Sequence, residues 1–493
     1  MLSLEKYLEQ AQQYSVVPIA VKLLADRHTP VTLLQRFYKE QEGVFLLESV
    51  EGGEKWGRYS FIGIDAHAFV EIYAETVVVR ACGGTVERQI PHNGKPLEVL
   101  RTLLKNYRAA EQSELPRFFG GLVGYFAYEM VSFFEKIPHR LEYSPFGAFV
   151  IPKTILILDN LKQVLTVCVT TFPCEAKPSE YELLYRSAVT NIERIVGELD
   201  NPLDVVLPKF DTELTLVPVI SEREYCNKVE TIQKHITDGD IIQCVFSQPF
   251  VADTTPDAVS LYRALRFSNP APYLFFMHIS NTVLAGSSPE TMIRLEGRTA
   301  TLRPIAGTRK RGITEQHDRE LADEMLRDPK EKAEHLMLVD LGRNDLGRVA
   351  KTGTVQVTDL MFVERHPHVM HLVSNITSEL EDGYDGFDLF RATFPAGTLS
   401  GAPKVRAMQI ISEQETMPRG PYGGAAGYIA YNGNIDFAIT IRTATIHNGK
   451  LIARAGSGIV ADSVPDNERL ETVNKAKAVA HALEILGQTP ITL

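Results

Sequence analysis

The alternation of hydrophobic and polar residues between positions 31 and 190 is typical of β-strands. Four stretches carry it, each bounded by glycine or charged turn residues: FLLESV, RYSFIGI, TVVVRA and FVIPKTILILD. A poorly periodic, proline-spaced stretch follows at 200–220, DNPLDVVLPKFDTELTLVPVI, and is predicted to be a linker. We therefore expect an N-terminal domain over residues 1–205 and a second domain over residues 218–493.

The second half of the chain mixes helical and strand periodicity. Residues 328–341 predict a helix in which Asp328 is the N-cap, Pro329 lies in the first turn and Glu331 completes a capping box. Residues 425–455 predict a three-strand meander, because two Asn-Gly turns, at 432–433 and 448–449, separate strand-like runs.

The middle strand of this meander, NIDFAITIRTATI, alternates with period two. We expect one face to be core and the other to be lined by small residues with one cation, which leaves room for an anion. The core face holds Ile435, Phe437, Ile439 and Ile441, and the second face holds Asp436, Ala438, Thr440, Arg442 and Ala444.

The third strand is predicted to end in AGSGIV at 455–460, with Gly456-Ser457-Gly458 as a glycine loop, and a helix follows whose start is marked by Pro465-Asp466-Asn467. On that helix Glu468, Glu471 and Lys475 have the spacing i, i+3, i+7 and share one face.

Composition narrows the function classes. The chain has 493 residues, a net charge of −11 and a pI of about 5.7, which disfavours nucleic acid and anionic membranes as partners. The five cysteines form no C-x-x-C pair and predict reduced thiols in the cytoplasm. The N-terminus resembles no signal peptide, and no apolar run reaches the roughly 18 residues of a membrane span.

Glu334 and Glu471, with Glu468 nearby, are candidate ligands for Mg²⁺, because carboxylates on rigid helices leave room for water and substrate oxygens. Solvated helix glutamates are the alternative. Arg442, Lys475 and the Gly456-Ser457-Gly458 segment are a candidate oxyanion site, with a tight turn as the alternative.

The run ERHPHVMHLVSNI contains His366, His368 and His371, whose spacing and lack of cysteine partners argue against a zinc site. His371 is a candidate general acid or base, and a hydrogen-bonded core histidine is the alternative reading. The glycine-rich run at 394–411, FPAGTLSGAPKVRAMQII, leads into a helix whose N-terminus could face a ligand. The chain contains no nucleophile elbow, Walker A motif or dinucleotide fingerprint.

Eight stretches resemble the chorismate-utilising enzymes in family order: GDIIQCVFSQ, NPAPYLFF, AGSSPET, RPIAGTRKRG, EKAEHLMLVDLGRNDLGRV, FPAGTLSGAPKVRAM, GPYGGAAGYI and AGSGIVADSVPDNERLETVNKAKA. The N-terminal FLLESVEGGEKWGRYSFIG is similar to the large subunits of anthranilate synthases. The residue pattern alone predicts a strand-rich α+β protein. The resemblance implies two large antiparallel β-sheets packed as a sandwich, with helices outside and the active site at one edge.

Members of this family add different nucleophiles to the ring of chorismate. The resemblance places Ala306 where some members have a nucleophilic lysine, and Gln243 where others have a lysine that activates water. Neither side chain offers a basic nitrogen. The resemblance therefore implies that ammonia attacks from outside, and that the cations of RPIAGTRKRG favour the fold and the anionic ligand without competing as nucleophiles.

The same resemblance implies a role for each candidate residue. Glu334 and Glu471 would hold Mg²⁺, with Glu468 beside them. Glu290 would protonate the departing C4 hydroxyl, His371 would assist loss of pyruvate, and Thr398 would complete this catalytic set. Substrate contacts would come from Tyr422, Arg442, Gly456, Ser457, Gly458, Lys475, Gln243 and Ala306.

The resemblance also implies partners. Ammonia would come from a separate glutamine amidotransferase subunit in a hetero-oligomer such as a heterotetramer, and L-tryptophan would inhibit by feedback at Glu48, Ser49, Pro272 and Tyr273. Two alternatives stay open: the large subunit of an aminodeoxychorismate synthase, and a catalytically inactive subunit that senses tryptophan.

Overall fold

The computed structural model describes residues 1–49, 57–138, 140–141, 144–202, 214–366 and 369–487. Most of the predicted linker at 200–220 and the proposed domain boundary lie outside the described residues, as does His368. No helix in these ranges is both long enough and apolar enough to cross a membrane.

Helices account for much of the second half of the chain. They are α1 (Leu4–Gln13), α2 (Pro30–Phe37), α3 (Pro96–Asn106), α4 (Tyr181–Asp200), α5 (Glu222–Thr237), α6 (Ala258–Ser268), α7 (Glu315–Arg327), α8 (Pro329–Gly347), α9 (Gly386–Thr393), α10 (Lys404–Gln414) and α11 (Pro465–Gly487).

The strands run through both halves. They are β1 (Val17–Leu24), β2 (Val44–Glu48), β3 (Tyr59–Ile72), β4 (Thr76–Ala81), β5 (Val86–Pro91), β6 (Gly121–Phe126), β7 (Gly147–Asp159), β8 (Val164–Thr171), β9 (Val217–Pro218), β10 (Gln243–Ala252), β11 (Tyr273–Ile279), β12 (Thr282–Ser288), β13 (Thr291–Glu296), β14 (Thr299–Leu302), β15 (Ile305–Lys310), β16 (Gln356–Arg365), β17 (Val369–Glu379), β18 (Gly401–Ala402), β19 (Ala425–Ala430), β20 (Ile435–Ile439), β21 (Thr443–His447) and β22 (Lys450–Ile459).

The strands form two antiparallel sheets that share the long strands β3 and β7. The first sheet has the order β1-β8-β7-β3-β2-β11-β12-β21-β22-β10, and β9 and β18 also pair with β10. The second sheet has the order β5-β4-β3-β7-β6-β19-β20-β13-β14-β17, with β15 and β16 also paired to β17. Register shifts between Gly63 and Ala68 let β3 pass from one sheet to the other.

A hydrophobic core fills the space between the sheets, where Phe61 of β3 lies 6.3 Å from Tyr428 of β19 between ring centroids. Helices cover the outer faces. α1, α2, α4, α6, α10 and α11 pack on the first sheet, and α3, α8 and α9 pack around the second. The predicted α+β sandwich of antiparallel sheets is confirmed.

The predicted middle strand of the meander is wrong. Residues 435–447 form two strands, β20 in the second sheet and β21 in the first, because the chain turns at Arg442, whose φ is +48°. Both faces of β20 are buried, so the alternation there separates two cores rather than core from solvent. The Asn-Gly hairpin turns β19–β20 and β21–β22 are confirmed.

The third strand ends within 455–460 as predicted, but the predicted glycine loop at Gly456-Ser457-Gly458 is wrong. Gly456, Ser457 and Gly458 lie within β22, in register with Ser247, Phe246 and Val245 of β10.

The start of α8 is confirmed at its cap, since the Asp328 side chain accepts from the amides of Lys330 and Glu331. The Glu331 carboxylate accepts instead from Arg309, at 2.9 Å, so the reciprocal half of the predicted capping box is not observed.

Candidate active site

A cavity of about 580 Å³ opens between β10 and β22 of the first sheet and β15 and β17 of the second, with α8 and α11 at its sides. Nearly all of the predicted site residues line it. They are Gln243, Glu290, Ala306, Glu334, His371, Thr398, Tyr422, Arg442, Gly456, Gly458, Glu468, Glu471 and Lys475.

Ser457 is the exception. Its side chain is fully buried, its hydroxyl lies 3.0 Å from that of Tyr225, and it hydrogen-bonds to the Glu468 carboxyl without lining the cavity itself. The period-two geometry of a strand explains this, because Gly456 and Gly458 must face the opposite way from Ser457.

Arg442 reaches the cavity because the break between β20 and β21 turns its backbone into the left-handed region. No carboxylate of the described residues lies within ion-pair distance of its guanidinium, and burial lowers the pKa of Arg442. The guanidinium remains charged, because arginine is not deprotonated in proteins. An unpaired buried cation of this kind favours an anionic ligand.

Glu290 lies in the short connection between β12 and β13, where its carbonyl accepts from the amide of Ile439 at 3.0 Å. Its side chain is 7% exposed, and Oε1 accepts from the Thr398 hydroxyl at 2.9 Å. Burial raises the pKa of Glu290 to about 8, although Thr398, Arg442 and Lys475 act in the opposite direction. The carboxyl is therefore mainly protonated at neutral pH and can act as an acid.

His371 of β17 is paired with Thr308 of β15 and is 3% exposed. Its Nδ1 lies 3.1 Å from the Gly307 carbonyl and 3.1 Å from the Thr308 hydroxyl. A carbonyl can only accept, so Nδ1 carries the proton and Nε2 keeps a lone pair. Burial lowers the pKa of His371 to about 4, with Arg442 acting in the same direction. The imidazole is thus neutral at pH 7 and suited to accept a proton.

Four carboxylates line the cavity from two helices, Glu331 and Glu334 from α8 and Glu468 and Glu471 from α11. Burial raises the pKa of Glu334, and the negative charges of Glu331 and Glu471 raise it further. Burial likewise raises the pKa of Glu468, and Glu471 adds to the effect. Mutual repulsion between oxygen ligands is what a divalent cation relieves, so the donor set fits Mg²⁺. In the described ranges, however, no three or more His, Cys, Asp or Glu side chains form a metal-holding cluster on their own.

The two glycines of β22 make room for side chains on the cavity wall. A Cβ at Gly458 would lie 2.6 Å from Nε2 of Gln243, and a Cβ at Gly456 would lie 2.9 Å from the Tyr422 hydroxyl. Gln243 uses this space to reach Glu334, with Nε2 at 3.4 Å from Oε1. The Lys475 ammonium is held by the Glu471 carboxylate at 2.7 Å and the Gly456 carbonyl at 3.0 Å.

The cations around Ala306 do not face the cavity, which corrects the expectation that they favour the ligand. Arg303 pairs with Glu364, Arg309 pairs with Glu331, and Arg311 pairs with Asp318. Their charges hold the fold around β15 instead.

Sequence reasoning missed Lys330, Thr308 and Arg454 as lining residues. Thr308 belongs to the quoted RPIAGTRKRG stretch, which was a usable signal. Lys330 lies at the exposed start of α8, and its position beside Glu468 depends on the packing of α8 near α11.

The predicted regulatory residues lie together elsewhere, where β2 pairs with β11. Glu48 is opposite Leu274 in register, so Ser49 and Pro272-Tyr273 lie at adjacent strand ends. The buried Glu48 carboxylate accepts from Tyr262 at 2.5 Å and from Arg266 at 2.7 Å. None of these residues lines the cavity.

Comparison with known proteins agrees with this geometry. The chain matches the family described as chorismate binding enzyme over residues 48–481. It is 43% identical to anthranilate synthase component 1 of Acetivibrio thermocellus and 42% identical to that of Aquifex aeolicus, with 99% of each chain covered in both cases. Anthranilate synthase component I of Streptococcus pneumoniae superposes with a TM-score of 0.76 at 33% identity, covering 93% of this chain and 99% of that one.

The fold extends to more distant proteins. The menaquinone-specific isochorismate synthase of Escherichia coli has a TM-score of 0.72 at 19% identity, and the alignment covers 97% of this chain and 98% of that one. The sandwich, the cavity at its edge and the full-length matches lead to one conclusion: this chain belongs to the chorismate-binding enzymes and, within them, to the anthranilate synthase component 1 family.

Proposed function

We propose that this chain is a lyase that converts chorismate and ammonia into anthranilate and pyruvate. The observation that carries the proposal is the chemistry of the cavity wall at Gln243 and Ala306, which offers no amine at either position. The Lys475 amine is held between Glu471 and the Gly456 carbonyl, and the Lys330 amine interacts with the negative charge of Glu468, so both serve as charges. The nucleophile therefore enters from outside, and ammonia is the simplest one that yields an amino product.

The two carboxylates of chorismate would bind to cations on the cavity wall. Arg442 offers a fork of donors that suits a carboxylate, and Lys475 adds a second charge. Tyr422 contributes a hydroxyl donor beside Gly456. These groups would fix the ring in one orientation relative to Glu290 and His371.

The first step uses Glu290 as the acid. Ammonia forms a bond to C2 of the ring while the bond from C4 to its hydroxyl breaks. The proton of Glu290 leaves with the hydroxyl as water, and the new C2 ammonium group loses one proton, which restores the Glu290 acid. In the second step Nε2 of His371 takes the proton from C2, the bond from C3 to the enolpyruvyl oxygen breaks, and the ring becomes aromatic. The released enolate takes a proton at its methylene carbon and becomes pyruvate. Each such proton transfer contributes roughly 10²–10⁴-fold in rate.

Glu334 and Glu471 would hold Mg²⁺, with Glu468 beside them. The cation would supply positive charge against the ring carboxylate, which two glutamates alone would repel. Because the protein side contributes few ligands, water and the substrate carboxylate would fill the remaining coordination positions.

The direct test is incubation of the purified chain with chorismate, Mg²⁺ and ammonium at alkaline pH, followed by identification of the products. We expect anthranilate, detected by its fluorescence, and one equivalent of pyruvate. A 4-amino product that keeps its enolpyruvyl group would assign the chain to aminodeoxychorismate synthesis, and absence of turnover would favour a subunit that only senses tryptophan.

We further propose that a separate glutamine amidotransferase subunit delivers the ammonia in a cytoplasmic hetero-oligomer, and that L-tryptophan inhibits at the Glu48–Tyr273 site. The adjacency of β2 and β11 supports the second part. Inhibition curves of the wild type and Ser49→Phe test it, since a phenyl ring at Ser49 should weaken inhibition. Superimposable curves would exclude this site.

A further inference from the structure

A buried ionic cluster lies directly under the cavity. It comprises Glu415, Arg419 and Arg454, with the two guanidinium groups at 2.7 Å and 2.9 Å from the carboxylate oxygens. All three side chains are at most 4% exposed. We call this group the floor cluster.

Arg419 is the member of the floor cluster that contacts the catalytic machinery. Its Nη1 donates to the Leu399 carbonyl at 2.6 Å, and its Nη2 donates to the Val245 carbonyl at 2.8 Å. The Val245 amide in turn donates to the Ser400 carbonyl at 2.9 Å. The segment 399–400 is therefore clamped between one arginine and one strand.

This clamp controls Thr398, which immediately precedes Leu399 in the short helical turn Gly397–Leu399. The Thr398 hydroxyl donates to Glu290 at 2.9 Å, and it is the side chain that hydrogen-bonds to this buried carboxyl. A shift of a few tenths of an ångström in the turn would lengthen that bond, because the other hydrogen bonds of the turn that the structure describes go to its own backbone at Ala396 and Gly397.

We propose that Arg419 is a positioning residue, which holds the Thr398 hydroxyl against the Glu290 carboxyl by binding the Leu399 carbonyl from beneath the cavity. Arginine suits the task because its planar fork reaches Leu399, Val245 and Glu415 at once, whereas lysine is a single point charge. The inference rests on the proposed role of Glu290 as the acid.

The test is the pH profile of kcat/KM for chorismate, with the concentration of un-ionised ammonia held constant. The Thr398 bond favours the ionised carboxylate, so loosening it raises the pKa of Glu290. Arg419→Lys should therefore move the alkaline limb of the pH profile to higher pH by about one pH unit. Thr398→Val should give the same shift, and the double variant should shift no further than either single variant, because both act through one bond.

Arg36→Lys is the matched control. Arg36 is likewise a buried arginine that binds two backbone carbonyls, those of Glu198 at 2.7 Å and Asn201 at 2.8 Å, but it does not line the cavity. It should lower the melting temperature as Arg419→Lys does and leave the alkaline limb in place. Circular dichroism and thermal melts establish folding in each case, and Arg419→Gln, whose amide can still reach one carbonyl, replaces Arg419→Lys if that variant does not fold.

Two failures are distinguishable. If Glu290→Gln keeps wild-type turnover, the acid assignment itself is wrong. If Glu290→Gln is inactive but the folded Arg419 variant keeps the wild-type alkaline limb, or if the shifts of the two single variants add in the double variant, Arg419 does not position Thr398.

Discussion

Glu290 in the cavity wall and Glu415 in the floor cluster are almost equally buried, at 7% and 4% exposure, yet they differ in protonation. Burial raises the pKa of Glu290 to about 8, since its close partner is one neutral hydroxyl. Burial would also raise the pKa of Glu415, but Arg419 and Arg454 outweigh it and the pKa is lowered.

The difference shows that the partners of a buried carboxyl, more than its depth, decide its charge. The floor cluster pairs each charge within the protein, which stabilises one arrangement. Among the described residues, no carboxylate is in ion-pair contact with Arg442 and no cation is in contact with Glu290, which suits a site that receives these charges from a ligand. Replacing single members of the two regions should therefore have effects of different kinds.

Glu290→Gln should have the largest effect on turnover, a loss of roughly 10²–10⁴-fold at pH 7, because the amide cannot donate a proton to the leaving hydroxyl.

The same variant should be more stable than the wild type at pH 9. Folding raises the pKa of Glu290, so the folded protein binds the extra proton between pH 4.5 and about 8, and wild-type stability falls as the pH rises through that window.

Urea unfolding at pH 5 and pH 9 measures this second effect. The gain for Glu290→Gln should be small at pH 5 and reach up to about 4 kcal/mol at pH 9. Equal stabilities of the two proteins at pH 9 would mean that Glu290 ionises freely in the cavity.

Glu415→Gln should act in the opposite sense, with a loss of about 3–5 kcal/mol in the free energy of unfolding at pH 7, because two buried guanidinium groups lose the carboxylate that pairs with both of them. Glu413→Gln on the same stretch of helix is the control, since its side chain is 54% exposed and should change stability by less than about 0.5 kcal/mol. Similar losses for both variants would show that the floor cluster adds no more than a surface pair.

Removal of Mg²⁺ should abolish chorismate binding as well as turnover. Without the cation, Glu334 and Glu471 face the ring carboxylate at a cost of several kcal/mol, which corresponds to a hundredfold or more in Kd. Calorimetric titration with and without EDTA measures it. Glu334→Gln should weaken binding similarly, whereas Glu331→Gln should retain the response to Mg²⁺, because Arg309 already pairs with Glu331. Unchanged binding in EDTA would refute the metal assignment.

Much of the fold and the site could be predicted from local signals. Strands such as β3 and β7 follow from alternation and turn residues, and the start of α8 follows from Asp328 and Pro329. The lining residues were found because each lies in a recognisable stretch. Long-range pairing left no such signal, so the floor cluster, in which Arg454 comes from a strand 39 residues after Glu415, was not foreseen.

The errors have a common physical cause. In a sandwich both faces of an inner strand are buried, so the alternation in 435–447 continues smoothly across the point where the chain changes sheets. The turn there depends on a positive φ at Arg442. Arginine rarely adopts a positive φ, so the sequence gives no sign of this turn. The cations of residues 303–311 resemble a ligand site in the sequence, because their carboxylate partners, such as Glu364 and Asp318, lie outside that stretch.

Gly458→Ala should give the smallest effect, a rise of up to about tenfold in KM for chorismate with little loss of stability. The new Cβ would lie 2.6 Å from Nε2 of Gln243, a flexible side-chain end that can move aside without unfolding the strand. Moving it breaks the 3.4 Å bond to Glu334, which is long and therefore weak. Gln243→Ala removes the clash, so adding Gly458→Ala to it should raise KM no further. If the double variant is worse than Gln243→Ala alone, the methyl group itself obstructs chorismate, and the glycine serves the ligand directly rather than the glutamine beside it.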